Sequence, residues 1–144
     1  MPDKIISIAA VFCLISTLAL ADAGKGDLDV VIENVKSGRG IIRVALCSDK
    51  EQYYKDEGLF RAAEITPVKG RTEYMFAGIP YGRYAIKVYQ DKDEDGKLDT
   101  GMFGMPKEPY GFSNNPKVSG GMPSYEKAVF DMAPGNEAVK IRLR

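Results

Sequence analysis

The chain has 144 residues, with 20 basic and 20 acidic side chains, no net charge and no histidine. Zero net charge argues against an electrostatic nucleic-acid binder and against a polybasic membrane surface. The absence of histidine excludes a Ser-His-Asp triad, a Cys-His pair and a histidine-ligated zinc.

Residues 1–21 read as a secretory signal peptide. Lys4 lies in a short polar start, an apolar run extends from Ile5 to Leu20, and Ala19-Leu20-Ala21 supplies the small-residue cleavage pattern. The run is shorter than the ~20 apolar residues a membrane span prefers. The expectation is an exported protein, periplasmic or extracellular, with no stable membrane span after cleavage. An uncleaved anchor and cleavage after Ala23 are the alternatives, and the bulky Phe12 before Cys13 argues against a lipoprotein. Cleavage removes one base, Lys4, and one acid, Asp3, so the mature charge stays at zero. Residues 22–144 suit a single domain. Cys47 is then the only cysteine, which rules out an intrachain disulfide, and it reads as a small half-buried strand residue.

From Leu28 onward the pattern has period two. Leu28, Val30 and Ile32 form one inward face, and Lys36–Gly40 a turn. Ile42, Val44 and Leu46 continue the core on the next strand. The segment from Ser48 to Gly70 is less regular; Asp49–Glu57 predicts one or two helical turns capped by Ser48 or Asp49, and residues 61–67 predict a weak edge pairing. Tyr74 and Phe76 precede the turn Ile79–Gly82, where Pro80 presets φ. Tyr84, Ile86 and Val88 follow, and after a long interruption come Ala128, Phe130 and Met132, then Val139, Ile141 and Leu143. The fold class predicted is all-β: an immunoglobulin-like or transthyretin-like sandwich of about seven antiparallel strands. An outer-membrane barrel is the structural rival. Lys87, Asp131, Lys140 and Arg142 on the outward faces weigh against its lipid-facing apolar band.

The interruption, residues 91–124, holds four prolines and six glycines. A loop this long in a compact domain is functional or disordered. Met102, Phe103, Met105, Tyr110, Phe112, Val118 and Met122 predict an ordered excursion pinned by its apolar side chains. Its start, DKDEDGKLDT, matches a calcium loop, with Asp91, Asp93 and Asp95 at positions one, three and five, Gly96 at the sharp turn, Lys97 offering its carbonyl and Asp99 at position nine. Alternate carboxylates converge on a hard cation in that spacing, and Leu98 is expected to point into the core. Met102 occupies the twelfth position, where a bidentate glutamate belongs. Glu108 is the nearest substitute, with Asn114, Asn115 or a loop carbonyl behind it. Calcium fits this oxygen set better than magnesium. The alternative is a solvated acidic turn with no metal.

Gly82–Ile86, Asp91–Thr100 and above all Phe103–Asn115 (FGMPKEPYGFSNN) resemble the bacterial secreted family known as domain of unknown function 2141. The resemblance covers nearly all of residues 22–144. It implies a seven-stranded sandwich similar to transthyretin-like and carboxypeptidase regulatory domains, and no activity. The family often shows asparagine where this chain has Asp93 and Asp95, so the charge here is higher. The functional expectation is a binding module, not an enzyme, contacting a protein or a glycan through Tyr110, Phe112, Asn114 and Asn115. The alternatives are a structural envelope protein associating through sheet edges, and a glycan-active enzyme built on the carboxylates of Asp99 and Glu108.

Overall fold

The computed structural model describes residues 24–144, so the predicted signal peptide lies outside the described residues. Eight strands and two short α-helices follow one another: β1 (Lys25–Val35), β2 (Ile41–Cys47), α1 (Lys50–Lys55), β3 (Arg61–Ile65), β4 (Gly70–Pro80), β5 (Gly82–Asp91), β6 (Tyr110–Phe112), α2 (Tyr125–Ala128), β7 (Phe130–Met132) and β8 (Ala138–Arg142), with a 3-10 turn at Met102–Gly104 between β5 and β6. They form two sheets, ordered β4-β1-β8 and β3-β2-β5-β6, with β7 pairing a second stretch of β5. The chain is all-β, and its described strands do not close into a barrel.

Alternation becomes burial. Leu28, Val30 and Ile32 of β1 meet Ile42, Val44 and Leu46 of β2, Ile86 and Val88 of β5, and Ile141 and Leu143 in one core shared by both sheets. At ~25 cal/mol per Å² of apolar surface removed from water, this shared face is the main driving force for the two-layer arrangement. In α1 the Asp49 side chain accepts the Gln52 N–H at 2.9 Å, as an N-cap does. Asp56 closes α1 in the left-handed region, φ 56.

Besides Ala128, which ends α2 instead of joining the strand of Phe130 and Met132, two features of the strand layout depart from the sequence expectation. β8 runs parallel to β1, with Val30 opposite Val139 and Ile32 opposite Ile141. The cause is a change of sheet: β7 pairs with β5 in the larger sheet, and the turn bridging Ala133 to Asn136 carries the chain to the smaller one. The other is β6, an eighth strand inside the interruption, too short for any period to register. Gly111 is required there, because a Cβ would lie 2.7 Å from Ile141 Cγ2 and 3.0 Å from the Arg142 carbonyl oxygen.

β6 and β7 divide one edge of β5: β6 pairs with Lys87–Tyr89 and β7 with Gly82–Tyr84. Ser113 fills the gap, its hydroxyl accepting the Ile86 N–H at 2.9 Å and its own N–H donating to the Ile86 carbonyl at 3.0 Å.

The outward face of the larger sheet positions everything that follows. Cross-strand register sets its β2–β5 rows as Cys47 with Ala85, Ala45 with Lys87, Arg43 with Tyr89 and Ile41 with Asp91. The first row lies under α1 and α2, in a second apolar cluster with Tyr53, Tyr125 and Ala128. Cys47 is therefore fully buried rather than half-buried. The last row lies under the acidic loop.

Candidate metal site

Asp91 ends β5 on the outward face, yet its side chain is wholly buried. The loop folds back over it: one carboxylate oxygen accepts the Arg43 Nε–H at 2.8 Å and the Gly96 N–H at 2.9 Å, and the other accepts the Asp95 N–H at 3.2 Å. Gly96, with φ 82, makes the turn that allows this. Tyr89 donates its hydroxyl to the Gly96 carbonyl at 3.0 Å, and Lys97 N–H donates to the Asp95 carboxylate at 2.8 Å. Gly40 lies against the start of the loop so closely that a Cβ would fall 2.0 Å from the Asp91 carbonyl oxygen.

Glu108 closes the other side. It is 6% exposed, and its two oxygens accept the Lys92 N–H at 2.6 Å and the Asp99 N–H at 3.1 Å. One carboxylate thus clamps both ends of the acidic decapeptide, and the Lys107 N–H reinforces the closure by donating to the Asp99 carbonyl at 2.8 Å. Two groups of acids result: Asp91, Asp93 and Asp95, and Asp93, Asp99 and Glu108, each with carboxylate oxygens within 4.8 Å of one another. Either group is spaced to hold a metal ion.

The electrostatics of the two neighbours Asp91 and Asp93 diverge. Burial pushes Asp91 up, but the Arg43 guanidinium, the Gly96 N–H and Asp93 overcome it and hold the group below its ordinary value. Asp93 is raised, first by desolvation inside the loop, then by the charges of Asp95 and Asp99, with the Asp95 N–H working against the rise. The directions differ because Arg43 and the Gly96 N–H serve Asp91, while Asp93 has no cation beside it among the described residues and faces Asp95 and Asp99.

These contacts separate the roles. Asp91 is an organiser, holding the loop to Arg43 and to two backbone amides. Asp93, Asp99 and Glu108 keep oxygen lone pairs that those contacts do not use. The donor set is oxygen only, which suits a hard cation. Arg43 carries no mark in the sequence, and Gly40 is legible there only as part of the Lys36–Gly40 turn, not as a neighbour of Asp91. Alternation places Arg43 outward on β2, but its diagonal approach to Asp91 depends on the β2–β5 register.

The remaining candidate residues lie elsewhere. Asn114 and Asn115 both have positive φ, 64 and 47. Their carboxamides hold backbone: Asn114 donates to Lys127 and Val129 carbonyls, and Asn115 donates to the Lys140 carbonyl while accepting the Arg142 N–H. Tyr110 and Phe112 are half-buried and meet edge to face at 6.0 Å. The excursion is pinned by these polar contacts and by β6, not by its methionines. Met102, Phe103 and Met105 are 80%, 94% and 57% exposed. Leu98 belongs to neither core cluster and faces the outer side of the sheet.

A two-sheet all-β protein with a clamped group of carboxylates able to hold a metal is the class defined by this fold and site. The chain belongs to the family described as an uncharacterized protein conserved in bacteria, DUF2141, whose model matches residues 30–140. No curated protein and no solved structure matches it. Among the described residues no helix is long and apolar enough to cross a membrane.

Proposed function

We propose that this chain is an exported binding module: an immunoglobulin-like or transthyretin-like sandwich whose loop from Asp91 to Asp99 holds a structural calcium ion. The observation that carries the reading is the buried Glu108, held within 4.8 Å of Asp93 and Asp99 while clamping both ends of the loop. Calcium–oxygen bonds of ~2.3–2.6 Å span oxygens at that separation. In this reading Asp93, Asp99 and Glu108 supply carboxylate oxygens, Asp95 and the Lys97 carbonyl complete the set, and Asp91 contributes its remaining lone pair while anchored to Arg43. The cation relieves the repulsion that raises Asp93 and fixes the root of the excursion.

The excursion then presents the partner surface. Its tip, Met102, Phe103 and Met105, is the most exposed apolar part of the described chain, and a rooted apolar tip suits contact with a protein or glycan. Tyr110, Phe112, Asn114 and Asn115 lie farther along the excursion and hold it to β5, to β8 and to the end of α2 with the Val129 that follows it. A structural ion fits a binder better than an enzyme, since each Glu108 oxygen is held by a loop amide and its remaining lone pairs face Asp93 and Asp99.

Calorimetric titration of residues 22–144 with calcium and with magnesium tests the proposal. One calcium per chain and at least ~10-fold weaker magnesium are expected, with Glu108→Gln weakening calcium at least ~10-fold. No heat at about 1 mM calcium, where a Kd of 1 mM corresponds to ~4 kcal/mol, refutes it.

A further inference from the structure

The outward face of the larger sheet is covered at one end by α1 and α2 and at the other by the acidic loop. Between the two covers lie the rows Ala62–Ala45–Lys87–Phe112 and Glu64–Arg43–Tyr89, set by the pairing of β3, β2, β5 and β6. Outward residues of a solvated sheet face are ordinarily long and polar. Here Ala45 and Ala62 leave a depression, and Leu59, Leu98, Met122 and Phe112 stand around it. The result is a cleft of about 510 Å³. That volume falls within the ~300–1,000 Å³ of small-molecule sites, and an apolar lining with a few polar groups is their usual composition.

The charge around the cleft is uneven. Its cations are Arg43, Lys87 and Lys97, and its acids are Asp56 and Glu64. Arg43 pairs with Glu64 and Lys87 with Asp56. Lys87 also donates to the Tyr53 carbonyl at 2.6 Å, so it is tied down twice. Lys97 has no ion-pair partner among the described residues. An apolar floor edged by one uncommitted ammonium group matches a ligand with an apolar body and a single negative charge.

We propose that this cleft binds a small amphipathic anion, an acyl or aryl carboxylate, with its apolar body on Ala45, Ala62, Leu59 and Met122 and its carboxylate on Lys97. The site goes beyond the calcium reading: Gly96–Leu98 form one of its walls, and a cation offsetting Asp93, Asp95 and Asp99 would strengthen the pull of Lys97 on an anion, while the apolar cleft itself stands without the ion. Arg43 joins the two places, since it faces the cleft and also holds Asp91.

The test is titration of residues 22–144 with octanoate and with the aryl anion 1-anilinonaphthalene-8-sulfonate, followed by calorimetry and fluorescence, with octylamine as the cationic counterpart. Each anion is expected to saturate a single site with Kd below about 1 mM and to bind at least ~10-fold more tightly than octylamine. Ala62→Trp, at an exposed position on the edge strand β3, fills the cleft and should abolish binding. Lys97→Glu, on an exposed loop, should weaken it at least ~10-fold without touching the core. Thermal melting checks that both variants fold. No saturation by either anion, equal binding of octylamine, or binding unaltered by both substitutions overturns the proposal. Running each titration in calcium and in chelator separates the two readings: anion binding that persists where calcium gives no heat sinks the metal site and leaves this one standing.

Discussion

Gly40→Ala tests whether the β1–β2 turn sets the position of the acidic loop. Gly40 has φ 72, and a Cβ there would lie 2.0 Å from the Asp91 carbonyl oxygen, 2.6 Å from Lys92 Cα and 2.8 Å from the Asp91 carbonyl carbon. All three atoms are backbone, so no side chain can swing aside to make room. Left-handed conformation costs an alanine ~1–2 kcal/mol. Forcing packed backbone apart adds ~1–3 kcal/mol. The expected loss is therefore ~2–5 kcal/mol, a large share of the ~5–15 kcal/mol typical of a domain. Gly78→Ala is the control: its φ is 64 and nothing lies within 4 Å of the added atom, so only the conformational part applies. Urea unfolding of both variants gives the difference, with an unchanged m-value showing that the surface exposed on unfolding is the same; the entropy that alanine removes from the unfolded chain is common to both variants and cancels. Gly40→Ala should also weaken calcium binding, because Asp91 and Lys92 must move, and Gly78→Ala should not. Equal destabilisation by the two substitutions would refute the close approach.

Three further outcomes follow from the same contacts. Burial pushes the Cys47 thiol up to about 11, so native protein should resist thiol reagents at about pH 8 and react fully in urea. The sign of the linkage is negative: the unfolded thiol ionises above ~8.5 while the folded one stays protonated, so this group makes stability fall as pH rises from ~8.5 towards the folded value. Ser113→Ala removes the hydroxyl that accepts the Ile86 N–H and donates to the Ala128 carbonyl. Leaving those buried groups unpaired should cost ~1–3 kcal/mol in urea unfolding, and an unchanged midpoint would show that β5 does not need the bridge. Arg43→Met strands the buried Asp91 carboxylate, and melting should then show a larger gain on adding calcium than the unaltered protein does. An equal gain would mean that Asp91 is not electrically coupled to the ion.

The parts of this molecule that alternation or capping chemistry specifies are legible in the sequence: the inward faces of β1, β2, β5 and β8, the Asp49 cap of α1, and the convergence of Asp91, Asp93 and Asp95 around Gly96. Properties of register and packing are not. The parallel approach of β8 to β1 depends on where the chain changes sheet. β6 is anchored by Ser113 and by the close fit of Gly111 against Ile141, which no short-range pattern announces. Apolar content alone makes Met102, Phe103 and Met105 read as anchors, yet they face solvent, while the polar Asn114, Asn115 and Glu108 hold the excursion in place. Arg43 meets Asp91, and Ala45 and Ala62 open a cleft, only because β2, β3 and β5 pair in one particular register.

The most direct test of the metal site is a crystal structure of residues 22–144 grown in calcium, with anomalous scattering locating the ion. One calcium within about 2.3–2.6 Å of oxygens from Asp93, Asp99 and Glu108 is the predicted result. Those three carboxylates surrounding only water in calcium-rich crystals would contradict it.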